Sequence, residues 1–426
     1  MRARVAVAVL GALACSGGTG GGPAVAADAA PPPIDTAAGG STTWVRTLGG
    51  LGTEWVVDVA THADGSTSLL TVIGDGGPTG TTPLDWGLVR LRPDRSLAWS
   101  RTFKGTSGLS TRLSIAASPL GNLFLAFNIA CTVGESCMDL GAGQASGSVL
   151  VKFAPDGHTV WQRALPATMN VTNVAVDAAG SAAFALARGT LTDNLRFVKF
   201  RWDGAQLWDL PAPRVNAGAA EPEPWAIAFD PAGNLAVGDR LVLYSLDAGG
   251  GMRWRAPLGE GSTGGIVASI GTTALGTVVA VALFDSGTVS WAGTRATASG
   301  SDRGSLLAVA EADGSPRLGR VLSLGDGRDA AAAAVDPAGR VAILTDGPGS
   351  CDEQVERWDL AGDLLWRRAL AGGCPPDARL LVSGIAVDPV SHHVRIAGGL
   401  QGTVDLGAGP VSSRGQLDDL LVDIAP

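Results

Sequence analysis

Five Cys and four His are the side chains best suited to ligate, crosslink or shuttle protons in this 426-residue chain, and their spacing limits what each can do. Cys15 stands alone behind an apolar run, while Cys131, Cys137, Cys351 and Cys374 are an even set that permits three disulfide connectivities. His392 and His393 are adjacent, and neighbouring side chains on an extended strand point to opposite sides, so they do not form a ligand pair. His62 and His158 stand alone in Asp/Gly-rich turns. No Gly-x-Ser-x-Gly elbow, His-Glu-x-x-His helix, Walker loop or calcium loop occurs, so no catalytic, metal or cofactor residue is assigned and no cofactor is expected. What remains is a scatter of carboxylates (Glu54, Asp75, Glu135, Glu221, Glu223, Glu260, Asp326, Asp329, Asp352, Glu353, Asp377) and two tryptophans, Trp55 and Trp225. Two carboxylates brought together would suit acid and base work. Scattered, they are solvated charge.

The elements that position these groups are written in a repeat. Phe153-Ala-Pro-Asp-Gly-His-Thr-Val-Trp161-Gln-Arg and Trp358-Asp-Leu-Ala-Gly-Asp-Leu-Leu-Trp366-Arg-Arg are two copies of one hairpin. Trp44, Trp99, Trp161, Trp208, Trp254 and Trp366 share a position in it, and Leu318 fills the missing seventh. A second column is stricter. Ala60, Ala116, Ala175, Ala228, Gly271, Ala334 and Ala386 each stand five residues before a turn glycine, with Ser391 in the glycine's place in the last copy. Self-similarity at this period is the signature of an all-β, seven-bladed β-propeller of four-stranded blades. The small column predicts crowded inner strands, where overpacking costs about 1–3 kcal/mol. The first copy is a lone Trp strand and the last lacks one, so the N-terminal strand is predicted to pair with the C-terminal strand and close the ring.

Alternating strand direction then sorts the loops. Turns after the first and third strands emerge on one face and are uniformly tight. Second-to-third and blade-to-blade loops emerge on the other and absorb all the variation in length, and variable loops on a rigid scaffold are where function concentrates. Topology favours pairing Cys131 with Cys137 and Cys351 with Cys374, both on this long-loop face. Every His falls at the tight-turn face. Trp55 and Trp225 open inner strands near the axis, either as a ligand platform or as plugs of the ring's mouth.

The Trp-x-Arg strand, the Val-Ala-Val-Asp-x-x-Gly inner hairpin (173–180 and 332–339) and the Asp-Leu-Gly-Ala-Gly segments (139–143 and 405–409) resemble the seven-bladed β-propeller repeat (SBBP) proteins of bacterial envelopes. The resemblance runs from about Trp44 onward and implies a fold and an envelope setting, not an activity. Third-strand ends such as Leu243-Tyr-Ser-Leu-Asp-Ala-Gly also look like the tryptophan-docking motif of quinoprotein dehydrogenases, without a quinone site to accompany it.

Three regions follow: an export signal over 1–15, a Gly/Ala/Pro/Ser/Thr tether over 16–43, and the propeller over 44–426. Arg2 and Arg4 precede an apolar run too short to span a bilayer. The Ala12-Leu13-Ala14-Cys15 junction resembles a bacterial lipobox, which would lipidate Cys15; cleavage at a later Ala-x-Ala site is the alternative. The tether cannot bury a core, and its flexible-coil reach is roughly 30 Å. A net charge of −9 argues against a nucleic-acid surface. The expectation is a monomeric, non-catalytic outer-membrane or cell-surface lipoprotein, otherwise periplasmic or secreted, held to the membrane by its N-terminal lipid alone. It would bind an unidentified protein or polymer through the long-loop face. The rival reading is an enzyme, a hydrolase, lyase or quinoprotein-like oxidoreductase, with a site in the axial channel.

Overall fold

Alternating apolar residues and Asp/Gly turns dictate short antiparallel strands, and the computed structural model arranges them as seven blades. It describes residues 39–49, 52–74, 85–104, 109–129, 138–145, 147–165, 169–188, 196–212, 224–298, 303–324, 329–347, 349 and 351–426. The inner strands, in order of blade, are Thr53–Thr61, Leu109–Ala117, Met169–Val176, Pro224–Phe229, Gly259–Thr272, Asp329–Val335 and Arg379–Val387. The outer strands of the first six blades are Leu97–Phe103, Thr159–Ala164, Gln206–Pro211, Met252–Pro257, Pro316–Leu324 and Leu364–Ala369. The seventh outer strand is Thr42–Leu48, from the other end of the chain. It pairs antiparallel with Asp418–Ile424, Val45 opposite Val422, so the ring closes as the sequence predicts. Closure removes the unpaired edge that an open sheet would present.

The repeated tryptophan is a clamp between blades. Trp99, Trp161, Trp208 and Trp254 each donate an indole N–H to the next blade's third-to-fourth turn, at the carbonyls of Pro155, Trp202, Ala248 and Ala312 (2.8–3.2 Å). Where an arginine stands two residues after the repeat tryptophan it bonds the next blade's turn too, beside the indole bond at Trp99 and Trp161 and without one at Trp366, whose Nε1 has no hydrogen-bond partner. Arg101 donates to Gly157, Arg163 to Gly204, Arg368 to Gly40 and Arg46 to Arg95, all at the carbonyl. The turn glycine is needed because the indole lies on it. A Cβ on Gly314 would stand 2.5 Å from Trp254, and φ there is +86°. Blade one breaks the rule with Arg95 at φ 70°, and its guanidinium stacks over Trp44 while binding Asp423 at 2.7 Å. Leu318, the seventh member, packs on Gly362.

The small column also has its place. A Cβ on Gly271 would meet Val335 of the neighbouring inner strand at 2.5 Å, the crowding that the column implies. One detail differs. The turn of blade seven is a residue longer, so His392, at φ 60°, takes the left-handed position expected at Ser391. A bulge before the column recurs in six inner strands, between Val56/Asp58, Val171/Asn173, Pro224/Ala226, Val267/Ser269, Ala330/Ala332 and Val382/Gly384. Bulges bend a strand and re-aim its side chains.

Candidate functional site: the two faces of the ring

The tight-turn face is built from turns of one length. Five residues separate the first and second strands in six of the seven blades, and the third and fourth strands in the first six. Each turn is held by its own side chain, as where Asp177 accepts from Ser181 N and Asp230 from Asn234 N, both at 2.8 Å. Beneath the turns lie buried ion pairs. Lys199 meets Asp177 at 2.8 Å, Arg357 meets Asp336 at 2.5 Å, and Arg395 meets Asp388. His62 takes the equivalent turn position in blade one. Burial, then the nearby Arg90, lowers its pKa to about 3, and Nε2 bonds Ser68 at 2.8 Å. His392 faces Asp336 at 3.4 Å, while His393 contacts Asp423 at 2.9 Å. The pair therefore diverges. Among the described residues no group of three His, Cys, Asp or Glu is arranged to hold a metal.

The long-loop face varies. Second-to-third connections range from Asp239 to Val242 in blade four up to Ile129 to Gly147 in blade two. Cys351 and Cys374 are joined there, tying the second-to-third loop of blade six to the segment after its outer strand. Two residues from the bridge, Glu353 is buried, with Oε2 lacking a hydrogen-bond partner. Burial foremost, with the carboxylates of Asp346 and Asp352, raises its pKa to about 8. Glu353 is therefore mostly protonated at pH 7. A second carboxylate cluster marks the closure seam, where Glu54 N donates to Leu417 O at 2.7 Å. There burial, Glu54 and Asp418 push Asp419 well above the usual carboxylate range.

Three long connections turn out to be straps. The Asp-Leu-Gly-Ala-Gly segments form hairpins whose Asp139 and Asp405 each accept from two glycine amides (2.7 and 3.2 Å). Leu140 and Leu406 are fully buried at their tips, and Trp291 occupies the matching place in blade five, its indole donating to Val309 O at 3.0 Å. Arg101, on the preceding blade's outer strand, lies against the first tip; Arg368 does the same at the third by donating to Leu406 O. The hairpins close the outer seams between blades. The sequence flagged their motif but not this use, because it lies in contacts between blades.

Trp55 is 7% exposed and belongs to the apolar cluster that contains Leu417, with Leu381 packed at its edge. Trp225 is the extra residue of the blade-four bulge, and its side chain lies outside the described residues. Cys15, Cys131, Cys137, Asp75, Glu135, Glu221, Glu223 and Asp326 lie outside them as well, as do the side chains of Glu260 and Asp329. Of the remaining carboxylates, Asp352 and Asp377 are exposed, and Glu54 and Glu353 are buried. Sequence reasoning also missed Asp58. It is half-buried, accepts from Val59 N and Ile115 N at 2.8 Å, and has its pKa raised by desolvation to about 6. Asn173, which bonds Val174 N in the same way, was the available hint.

No family profile matches the chain, and no curated protein matches it. Among solved structures, a chain of a mitotic checkpoint complex is 10% identical with a TM-score of 0.52, over 94% of this chain and 97% of that one. The Pan2 WD40 domain of Neurospora crassa is 9% identical over 88% and 90%, with a TM-score of 0.49. A protein of unknown function from Bacteroides caccae is 15% identical over 64% and 81%, with a TM-score of 0.37. At these identities the checkpoint chain attests the fold alone.

Proposed function

We propose that this chain is an SBBP-type envelope propeller, exported and lipid-anchored at Cys15, that binds a protein or polymer through its long-loop face without catalysing a reaction. The observation that carries the reading is the contrast between a ring clamped blade to blade by Trp-x-Arg and the one face where connections vary in length. A rigid frame presenting variable loops suits recognition. The monomeric state belongs to the same proposal.

The test is capture from isolated envelopes with the full chain, followed by affinity measurement on the captured partner. Asp352→Lys with Asp377→Lys should weaken binding at least fivefold. Loss of binding only in variants of the tight-turn face would overturn the assignment.

One observation favours the enzymatic alternative: Glu353, protonated at neutral pH beside two carboxylates, has the character of a general acid. Turnover of an envelope polymer that disappears in Glu353→Gln would establish it.

A further inference from the structure

The apolar residues that this protein leaves in water are gathered on one side. Among the described residues the large exposed ones are Leu120, Val160, Trp202, Leu207, Met252, Leu275, Leu364, Leu365 and Val390. Leu120, Leu275 and Val390 are tips of inner hairpins, at 67, 86 and 64% exposure, and Trp202 (55%) caps a third-to-fourth turn. The other five are first or second residues of outer strands, which begin at those same turns. Exposed apolar residues scattered singly need no account; nine on one face of a ring do.

The inner turns make the pattern continuous. The two residues at the tip of each are Ala63-Asp64, Pro119-Leu120, Ala178-Ala179, Pro231-Ala232, Ala274-Leu275, Pro337-Ala338 and Pro389-Val390. All but Asp64 are apolar, and all but Pro389 are exposed. Neighbouring turns touch, since Ala274 N donates to Pro337 O at 3.3 Å, and a methyl on Gly180 would stand 3.8 Å from Leu120 and 3.9 Å from Trp202. An apolar annulus thus surrounds the axis. Outside it stand the exposed carboxylates Asp94, Asp156, Asp203, Asp247 and Asp313, of which Asp203 is paired with Arg201 and Asp156 is bonded to His158.

The chain itself indicates what covers this face. Gly39 and Gly40, the first described residues, form the closing turn of blade seven, with Gly40 N bonded to Ala425 O. The ring is therefore joined to the rest of its N-terminal chain at the tight-turn side. We propose that this face rests on a bilayer of zwitterionic lipid, the annulus entering the headgroup region and the carboxylates outside it meeting the lipids' outermost cationic groups. A net charge of −9 disfavours anionic lipid. The long-loop face then points away from the membrane. The inference rests on the lipid-anchor reading only for what holds the chain near the bilayer.

The full chain carrying Cys15→Ser is sedimented with phosphatidylcholine vesicles, beside the same chain with Leu120→Asp, Leu275→Asp and Val390→Asp. Partitioning should fall at least tenfold in the triple variant, be unchanged in Asp377→Lys, and weaken when phosphatidylglycerol replaces half the lipid. Hydrogen exchange on the vesicle-bound parent chain should slow at 118–121, 273–276 and 388–392. Equal partitioning of the two chains, or no slowing at those turns, overturns the proposal. So does slowing without lipid that rises with protein concentration and accompanies a dimer in sedimentation velocity, since a second copy would then be the occupant. If parent and Cys15→Ser divide equally between detergent and water, the anchor reading fails while the vesicle arm still judges the face.

Discussion

Buried charge is treated in opposite ways on the two faces of this ring. At the tight turns buried carboxylates meet cations: Asp177 with Lys199, Asp336 with Arg357, Asp388 with Arg395 and Asp423 with Arg95. At the long loops burial raises the pKa of Glu353 and of Asp419, and the charged groups beside them are other carboxylates that raise it further. A buried charge is tolerable when paired and otherwise gives up its ionisation. The tight-turn face is therefore fastened by its ions. The long-loop face keeps protons that it releases as pH rises, and its structure should loosen accordingly.

The comparison presumes one rigid ring, and its most severe test removes the closing strand. Deleting Thr42–Leu48 takes away the outer strand of blade seven together with the buried Trp44 and Leu48. At roughly 2–3 kcal/mol for each large apolar side chain, plus an exposed strand edge, the loss approaches the whole stability of an ordinary domain. The deleted protein should fail to melt cooperatively at physiological temperature. A parent-like transition in calorimetry would mean that the blades are held independently of closure.

The next largest effect should come from Asp336→Asn. It leaves Arg357, whose side chain is 1% exposed, and the adjacent Arg340 without their carboxylate. Breaking a buried pair from one side costs about 3–5 kcal/mol. Denaturant melts should register that loss with the m-value unchanged. A cost under about 1 kcal/mol would show that water, not the ion pair, solvates Arg357.

Glu353→Gln should do the reverse. The folded pKa of about 8 lies above the ordinary glutamate value of 4.5, so the native state holds the proton more tightly. Stability from this group is full below about pH 4.5 and is lost as pH rises through about 8. Glutamine cannot ionise. The variant should nearly match the parent at pH 5 and exceed it at pH 9 by on the order of 5 kcal/mol. His62 works in the other sense. Its lowered pKa costs stability as pH falls below the ordinary histidine value, so His62→Gln should improve the melt at pH 5 and leave pH 8 unchanged. If Glu353→Gln lowers the melt at pH 9 instead, Glu353 is ionised and paired, and the contrast between the faces dissolves.

These contrasts mark how far the sequence could be read. Trp99 and its equivalents, the Ala/Gly column and the unpaired first strand made seven blades and their closure legible, because each is a local pattern repeated at a fixed period. The linkage of Cys351 to Cys374 was legible because topology sets both loops on one face. Burial at loop positions was not. Glu353 and Glu54 read as solvated charge, since burial is set by the folded ring; Glu54, for one, lies against Leu417 from the other end of the chain. Trp55 remained open between platform and plug for the same reason, and its 7% exposure comes from contacts with Leu417, more than 300 residues away in the chain. The apolar annulus was written in the turns all along, as Pro119-Leu120, Ala274-Leu275 and Pro389-Val390 at the second and third positions of their hairpin loops. It escapes a linear reading because single exposed Leu or Val residues are ordinary, and only the ring brings them together.

The smallest expected effect is the one that separates the faces most cleanly. Asp352 and Asp377 are exposed on the long-loop face, and Leu120 and Leu275 are exposed on the other. Substitutions at such positions usually change stability by less than about 0.5 kcal/mol. Asp352→Lys with Asp377→Lys, and Leu120→Asp with Leu275→Asp, should therefore melt alike and like the parent, so any functional difference reports the surface alone. The first pair should lose the captured partner and keep its vesicle partitioning; the second should do the opposite. If a single pair abolishes both, the partner is reached only from the membrane-bound state, because an interface and a bilayer contact on opposite faces of a rigid ring share no residue through which one substitution could act directly on both.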